Sequence, residues 1–364
     1  MKTKSLLAIS LIALFAETVV AGPPQRTALI NFVQASGRRH STETRISEHQ
    51  VIIANNGLFG LSQVDFGPHW KWPRGSSSNY IYGGGIWFGA KKSRVVNGMN
   101  TVEKTVELGY NPNSGAGWFV PGRISDGTDV LSESDPRSAN DIVYRSTEYD
   151  RNGKNVVDPR KPDWPIRWLD TTKIPGFNDY FGDYIADPEL RSALPPVYIS
   201  QEDIFCIYKD TDIRANPEYK QNSPYPLGIE VEQTVYSWNH HANKDLLAFR
   251  YMIRNRSNDD LKECYLAAVS DPDIGIANND RSGYYAKDTT LQLVYLFSEK
   301  ENGYPGVLGI SFLSTPVVRS IEDSISYRLL TGRSALIGEQ VGMSTFRNWM
   351  IENDPRNNEA RYGF

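Results

Sequence analysis

From Pro226 to Gly283 the chain can fold in few ways, because apolar residues recur at every second position. Leu227, Ile229, Val231 and Val235 alternate with Glu230, Glu232, Thr234 and Tyr236. Successive side chains of a strand point to opposite faces, so this pattern predicts a strand with one buried face. His240-His241-Ala242-Asn243-Lys244-Asp245 turns the chain. Leu247, Phe249, Tyr251 and Ile253 then form one face of a second strand, with Ala248, Arg250, Met252 and Arg254 on the other. Asn255 to Asp260 turns the chain again, and Glu263 to Val269 reads as a third strand. Three consecutive antiparallel strands with turns about every 8–12 residues predict a β-sandwich. Thr101 to Gly109 alternates in the same way, and Thr289–Phe297 and Val307–Leu313 add further strands. Ser344 to Met350 reads as a short C-terminal helix stopped by Asp354-Pro355. The expected fold is mainly β: antiparallel sandwich regions of immunoglobulin or fibronectin-like type, with long loops.

Composition agrees. The 20 Tyr, 14 Phe and 8 Trp, with 29 Gly and 21 Pro, favour strands and turns over helix bundles. A formal net charge of −4 gives no reason to expect nucleic acid as a partner, which calls for a dense basic face. The N-terminus has the build of an export signal: Lys2 and Lys4, an apolar run from Leu6 to Phe15, and Val19-Val20-Ala21 before a cleavage point at Gly22. No later run is apolar enough to span a membrane, so the mature chain is expected to be secreted or held at the cell surface. Four segments follow: a signal peptide over 1–21, a β-rich region with aromatic and Pro-rich loops over 22–195, a sandwich domain over 196–318 and a C-terminal segment over 319–364. The boundary near 195 rests on Leu194-Pro195-Pro196 and the denser strand signals after it.

The best candidate for chemistry is the acidic loop closing the three strands. Asp271, Asp273, Asn278, Asn279 and Asp280 offer side-chain oxygens within ten residues, the donor type Ca2+ takes. The loop is no EF-hand: Gly275 falls at the fifth position and Ser282 stands where a bidentate Glu belongs. Asx-turns would use the same residues without metal. Asp210 and Asp212 are further possible ligands from a neighbouring strand. Asp150 to Asp158 contains a similar oxygen-rich run, for which a plain Asn-Gly turn is the better reading. Cys206 and Cys264 lie in strand-like runs and are either a disulfide, as an exported chain permits, or two free thiols. Trp164, Trp168, Tyr180 and Tyr184 form a glycan-stacking platform or, the preferred reading, a satellite core. Gly83-Gly84-Gly85 lacks the Gly-Lys-Ser/Thr of a phosphate loop, and large rings covering bare strand positions explain it better. The five histidines show no metalloprotease spacing, and no nucleophile turn is present. Enzymatic activity is therefore not favoured. The rival class is a carboxylate-based glycan hydrolase, for which the 43 acidic residues single out no pair. Partners expected for a binding module are glycans or cell-surface and matrix proteins.

The ordered set NNGLFG (from Asn55), WPRGSSSNYIYGGGIWFGAKK (from Trp72), PLGIEVEQTVYSW (from Pro226), LAFRYMIRNRS (from Leu247) and SDPDIG (from Ser270) through DTTLQLVY (from Asp288) resembles a group of large exported proteins of Bacteroidota and Chlorobiota-type bacteria. These often end in a type IX secretion sorting domain, which this chain is expected to lack. The resemblance spans most of residues 51–313. It implies an exported, β-rich, extracellular or cell-surface protein with no established reaction. Similar proteins carry an acidic pair and a Gly-Cys-Asp run after the loop, where this chain has Asn279-Asp280 and Gly283-Tyr284-Tyr285.

Overall fold

The computed structural model describes residues 6–11, 40–62, 65, 67–96, 98–124, 142–168, 182–212, 215–219, 224–275, 279–298, 306–349 and 353–363. Two antiparallel sheets dominate, their strands numbered in chain order. The larger runs β1 (Leu6–Leu11), β13 (Leu247–Asn255), β12 (Ile229–Ser237), β11 (Glu202–Lys209) and β7 (Val120–Pro121), with β8 (Tyr144–Arg145) also on β11. The second runs β14 (Leu261–Pro272), β5 (Ile81–Val96) and β6 (Met99–Leu108). Smaller ladders join β2 (Ser41–Glu43), β3 (Gln50–Ala54) and β4 (Trp70–Lys71); β9 (Ile166–Arg167) and β10 (Asp183–Tyr184); and β15 (Asp280–Tyr284), β16 (Leu293–Ser298) and β17 (Leu308–Ser311). The helices are α1 (Pro188–Ala193), α2 (Ile321–Thr331) and α3 (Asn358–Gly363).

The sandwich core forms where the two main sheets face each other. Cys206, Tyr208, Ile229, Val231, Phe249 and Tyr251 from one sheet share a buried cluster with Ile86, Phe88, Ala90 and Ala268 from the other. Each such large side chain contributes about 1.5–3 kcal/mol when fully buried. The three expected strands are β12, β13 and β14, but they do not form one meander. β14 leaves the larger sheet and pairs with β5, with Asp271 opposite Gly83. β12 is buried on both faces, not one. Its polar face is covered because Arg254 pairs with Glu232, while Glu230 takes Arg256 at 3.1 Å and the Ile124 amide at 2.8 Å.

Ladders cross residue 195, since β14 pairs with β5 and β11 with both β7 and β8. Leu6–Leu11, within the run read as the export signal, lies along β13 as its outer neighbour. The glycine run sits inside β5, and rings do cover it: Phe59 lies over Gly84 and Tyr110 over Gly83, where a Cβ would come within 2.7 Å of the Tyr110 ring. Of the helix expected over Ser344–Met350, the described residues 344–349 are not helical, and 341–349 runs without regular structure; Met350 lies outside the described residues. Its side chains are spent on packing instead. Met343 and Phe346 pack against the main core, and the Trp349 ring lies 5.8 Å from that of Trp87. The helices lie either side of it. α2 starts at a capping box between Ser320 and Asp323 and ends at Gly332, whose φ of 70° is left-handed. α3 closes the second sheet. Its Asn358 Oδ1 accepts the Val106 amide of edge strand β6 at 3.1 Å, and the Tyr362 hydroxyl donates to the Glu263 carbonyl at 2.7 Å.

The two cysteines are free. Cys206 is sealed in the core on β11, whereas Cys264 is exposed on β14 in the other sheet, so no disulfide joins them. Asp150 Oδ1 accepts the amides of Asn152 and Lys154 at 2.8 and 2.9 Å, and Gly153 has a φ of 79°: the plain turn holds. Among the described residues no helix is long and apolar enough to cross a membrane.

Candidate cation site

β14 carries the acidic loop out of the sheet. Asp271 is its penultimate residue, Gly275 turns the chain at a φ of 82°, and Ile274, fully buried, pins the turn to the core. The chain returns as β15, whose first residue is Asp280. Strand pairing builds the pocket wall: Gly83 lies opposite Asp271 and has no side chain, so the Tyr110 ring occupies that space. Its hydroxyl donates to Asp271 Oδ2 at 2.8 Å. Asp280 Oδ2 accepts the Ile274 amide at 2.9 Å, which ties the two ends of the loop together. Asn279 Oδ1 accepts the Ser298 hydroxyl at 3.0 Å. In the C-terminal segment, Asp354 Oδ1 accepts the Trp349 indole N–H at 2.5 Å.

Burial sets the electrostatics. Asp271 and Asp280 are 4% and 0% exposed, and Asp354 is buried with them. Burial, followed by the charges of Asp273, Asp354 and Asp280, pushes the Asp271 carboxyl well above the usual range, against the pull of the Tyr110 bond. Burial likewise raises Asp273 and Asp354 to about 6 and Asp280 to about 7. The basic residues that oppose this, Arg281 at Asp280 and Arg356 at Asp354, act more weakly than burial. Asp271 Oδ1, Asp280 Oδ1 and Asp354 Oδ2 are buried with no hydrogen-bond partner among the described residues. An orphaned buried acceptor costs about 1–3 kcal/mol, more when charged. A hard divalent cation fits that donor set, since Ca2+ takes about six to eight oxygens in flexible geometry. As the chain stands, no three His, Cys, Asp or Glu side chains among the described residues converge closely enough to hold a metal ion.

Of the sequence candidates, Asp271, Asp273, Asn279 and Asp280 flank one loop whose ends are tied by the Ile274–Asp280 bond but do not converge on a common point, and Asn278 lies outside the described residues. Asp210 is not a ligand. Its carboxylate is consumed by the amides of Leu227, Gly228 and Ile229, at 2.6 to 3.1 Å, and it shapes the turn into β12. Asp212 precedes that turn, after β11, and is itself engaged. Two participants escaped sequence reasoning. Asp354 was legible only as a helix stop before Pro355. Tyr110 gave no signal, although the bare Gly83 opposite the first Asp was visible.

The aromatic platform is mostly core. Trp164 is fully buried with Tyr144, Tyr149 and Phe205, and its indole donates to the Val197 carbonyl at 2.9 Å. Tyr184 stacks on Phe205 with ring centroids 5.6 Å apart, and the guanidinium groups of Arg123 and Arg191 lie 4.9 and 5.9 Å from its ring. Trp168 is 47% exposed, and Tyr180 lies outside the described residues. A cavity of about 530 Å3 is lined by Lys91, Val102, Glu103, Lys104, Pro224, Asn358 and Glu359. Glu359 there is paired with Lys104 and open to water, unlike the desolvated acid a glycosidase needs. Another orphaned carboxylate, Glu107, faces the inter-sheet core from β6, and burial pushes it well above its usual range.

No protein-family model, curated protein or solved structure matches this chain.

Proposed function

We propose that the chain is a secreted or cell-surface binding and structural module, a β-sandwich whose acidic pocket holds Ca2+ and not a reacting substrate. The observation that carries this reading is the pair of sealed, unpartnered carboxylate oxygens on Asp271 and Asp280. A catalytic carboxylate must reach a substrate, and Asp271 and Asp280 are buried. The export-type N-terminus and the resemblance to exported β-rich proteins support a place outside the cell. The partner class is a glycan or a surface or matrix protein, for which Trp168 supplies an exposed aromatic face.

The test is a melting curve of the mature chain in Ca2+ and in EDTA. At a Ca2+ concentration about a hundredfold above Kd, binding to the folded state adds about 2.7 kcal/mol and raises the melting temperature. Equal melting temperatures in the two buffers rule the ion out, and a glycan array on the same sample then reads the binding role by itself.

A further inference from the structure

The edges of the two main sheets are treated unequally. An edge strand carries a row of backbone groups with no ladder partner, and folds close such rows with bulges, caps or short strands. On the larger sheet, β7 and β8 cover β11. On the second sheet, Asn358 of α3 takes the Val106 amide of β6 at 3.1 Å. The edge of β14 is broken by a register shift between Lys262 and Tyr265, where Glu263 has a φ of 47°. β13 has no such break: it pairs with β12 without a register shift from Leu247 to Asn255, and that run contains no proline. The ladder fixes which of its groups face outward. The Asp210 amide donates to the Ile229 carbonyl at 3.3 Å and the Arg256 amide to the Gly228 carbonyl at 2.9 Å, so Glu230, Glu232 and Thr234 make the bonds to β13. Antiparallel pairs alternate between bonded and non-bonded positions. The backbone groups of Arg250, Met252 and Arg254 therefore point to β12, and those of Phe249, Tyr251 and Ile253 point away from it. Leu6–Leu11 lies antiparallel along that outer side, with Leu7, Ile9 and Leu11 opposite Ile253, Tyr251 and Phe249. These three β13 residues also belong to the buried core. Directly opposite residues share a face, so the seat selects apolar residues at every second position.

We propose that the outer edge of β13 is a strand-acceptor site. The leader fills it before cleavage at Gly22. Afterwards an extended strand of a partner protein, apolar at alternate positions, takes its place in the same antiparallel register. This rests on the export reading above and gives the binding module a surface and a kind of partner. Backbone bonds to Phe249, Tyr251 and Ile253 supply the affinity, and the alternation of the incoming side chains supplies the selectivity. Without a strand there, the mature chain exposes a long regular edge, which is the kind that pairs with other chains.

The experiment follows amide exchange by NMR in the exported, processed chain, alone and with a peptide of residues 4–13, after mass spectrometry has read the N-terminus. In the free chain the Phe249, Tyr251 and Ile253 amides should exchange quickly, while those of Arg250 and Met252 stay protected by β12. Saturating peptide should slow the first three at least about tenfold and leave the other two unchanged. A peptide carrying Ile9→Pro lacks the N–H that Ile9 directs at Tyr251 and should bind at least about tenfold more weakly. Equal binding of the two peptides means unspecific adsorption and overturns the proposal. So does a processed chain whose Phe249, Tyr251 and Ile253 amides are protected without peptide, whether by its own residues or by a second copy. If the exported chain keeps residues 1–21, the export reading fails and takes the vacant edge with it. If the chain is processed and the three amides ignore the peptide, the acceptor site alone fails.

Discussion

Arg145 and Asp271 are both charged and nearly sealed from water, at 2% and 4% exposure, and the fold treats them in opposite ways. Around Arg145 opposite charges are paired, although Arg145 Nε and Glu202 Oε1 themselves make no hydrogen bond. Its guanidinium reaches Glu202 at 3.3 Å and Glu148 at 3.5 Å, and it donates to the Glu43 carbonyl at 2.7 Å and to the Thr42 hydroxyl. Glu202 in turn accepts the Arg45 amide at 2.8 Å and the Ser237 hydroxyl at 3.1 Å. The cluster ties β2, β8, β11 and β12 together from within the chain. Around Asp271 the acids outnumber their partners, and three oxygens are left orphaned. Buried charge that the chain neutralises itself is scaffold. Buried charge of one sign that it leaves unbalanced calls for protons or an outside cation, and only the latter makes a site.

The sharpest way to break this contrast is to remove the cation from the balanced cluster. Arg145→Met keeps the bulk of the side chain and strands Glu202 in the core. The expected loss is about 3–5 kcal/mol in urea unfolding, with no change in Ca2+ response. A loss below about 1 kcal/mol would mean that water already screens the cluster, and the contrast with Asp271 would disappear.

At the unbalanced cluster the same kind of change should do the reverse. Asp271→Asn replaces a buried carboxyl that has no cation beside it, while its amide oxygen can still accept from Tyr110. In EGTA the variant should unfold within about 1 kcal/mol of wild type, or be more stable. In Ca2+ it should lose the gain of about 2.7 kcal/mol expected for wild type. Equal destabilisation in both buffers would make Asp271 a structural acid like Glu202.

The two clusters also differ in what the sequence reveals. The alternation in β12 and β13 shows through because each residue's face follows from its neighbours alone. The Asp271 to Asp280 loop shows through because its acids are close together in the chain. Asp354 and Tyr110 do not, since the Tyr110–Asp271 bond joins positions 161 apart and depends on Gly83 lying opposite Asp271. The Arg145 cluster was invisible for the same reason: its parts come from four strands. Burial of both faces of β12 was missed because Arg123, Arg254 and Arg256 are ordinary surface residues until packing places them over Glu230 and Glu232. Ser344 to Met350 had the local look of a helix, but Trp349 gains more from Trp87 and Asp354 than from a helical turn.

The smallest effect tests how complete the balance near Arg145 is. His49 lies in the hook of residues 44–49 between β2 and β3, which Arg74 clamps by donating to the carbonyls of Ser47, Thr44 and His49 at 2.7, 2.8 and 2.6 Å. The Trp70 indole N–H donates to His49 Nδ1 at 3.1 Å, so Nε2 carries the proton and donates to the Asp245 carbonyl at 2.9 Å. A second ring proton would have to sit on Nδ1, against that indole N–H. Burial first, and the Arg74 charge to a lesser degree, hold the imidazole below its ordinary value; the Asp245 bond and the charges of Asp245 and Glu48 oppose them. With the folded value below the unfolded one, the unfolded chain binds more protons as the medium is acidified. The His49 contribution is therefore present above about pH 6.5 and is lost as pH falls below it, by no more than about 1.4 kcal/mol per pH unit. Raised carboxylates such as Asp203, which burial lifts to about 6, act the other way, so the slope of wild type alone does not isolate the imidazole. His49→Asn does, because its amide oxygen can replace Nδ1 as the Trp70 acceptor but does not titrate. Urea unfolding of both proteins between about pH 7 and pH 5 should show wild type losing stability relative to the variant as acid is added. Parallel profiles would place His49 among solvated groups and leave the hook held by Arg74 and Arg145 alone.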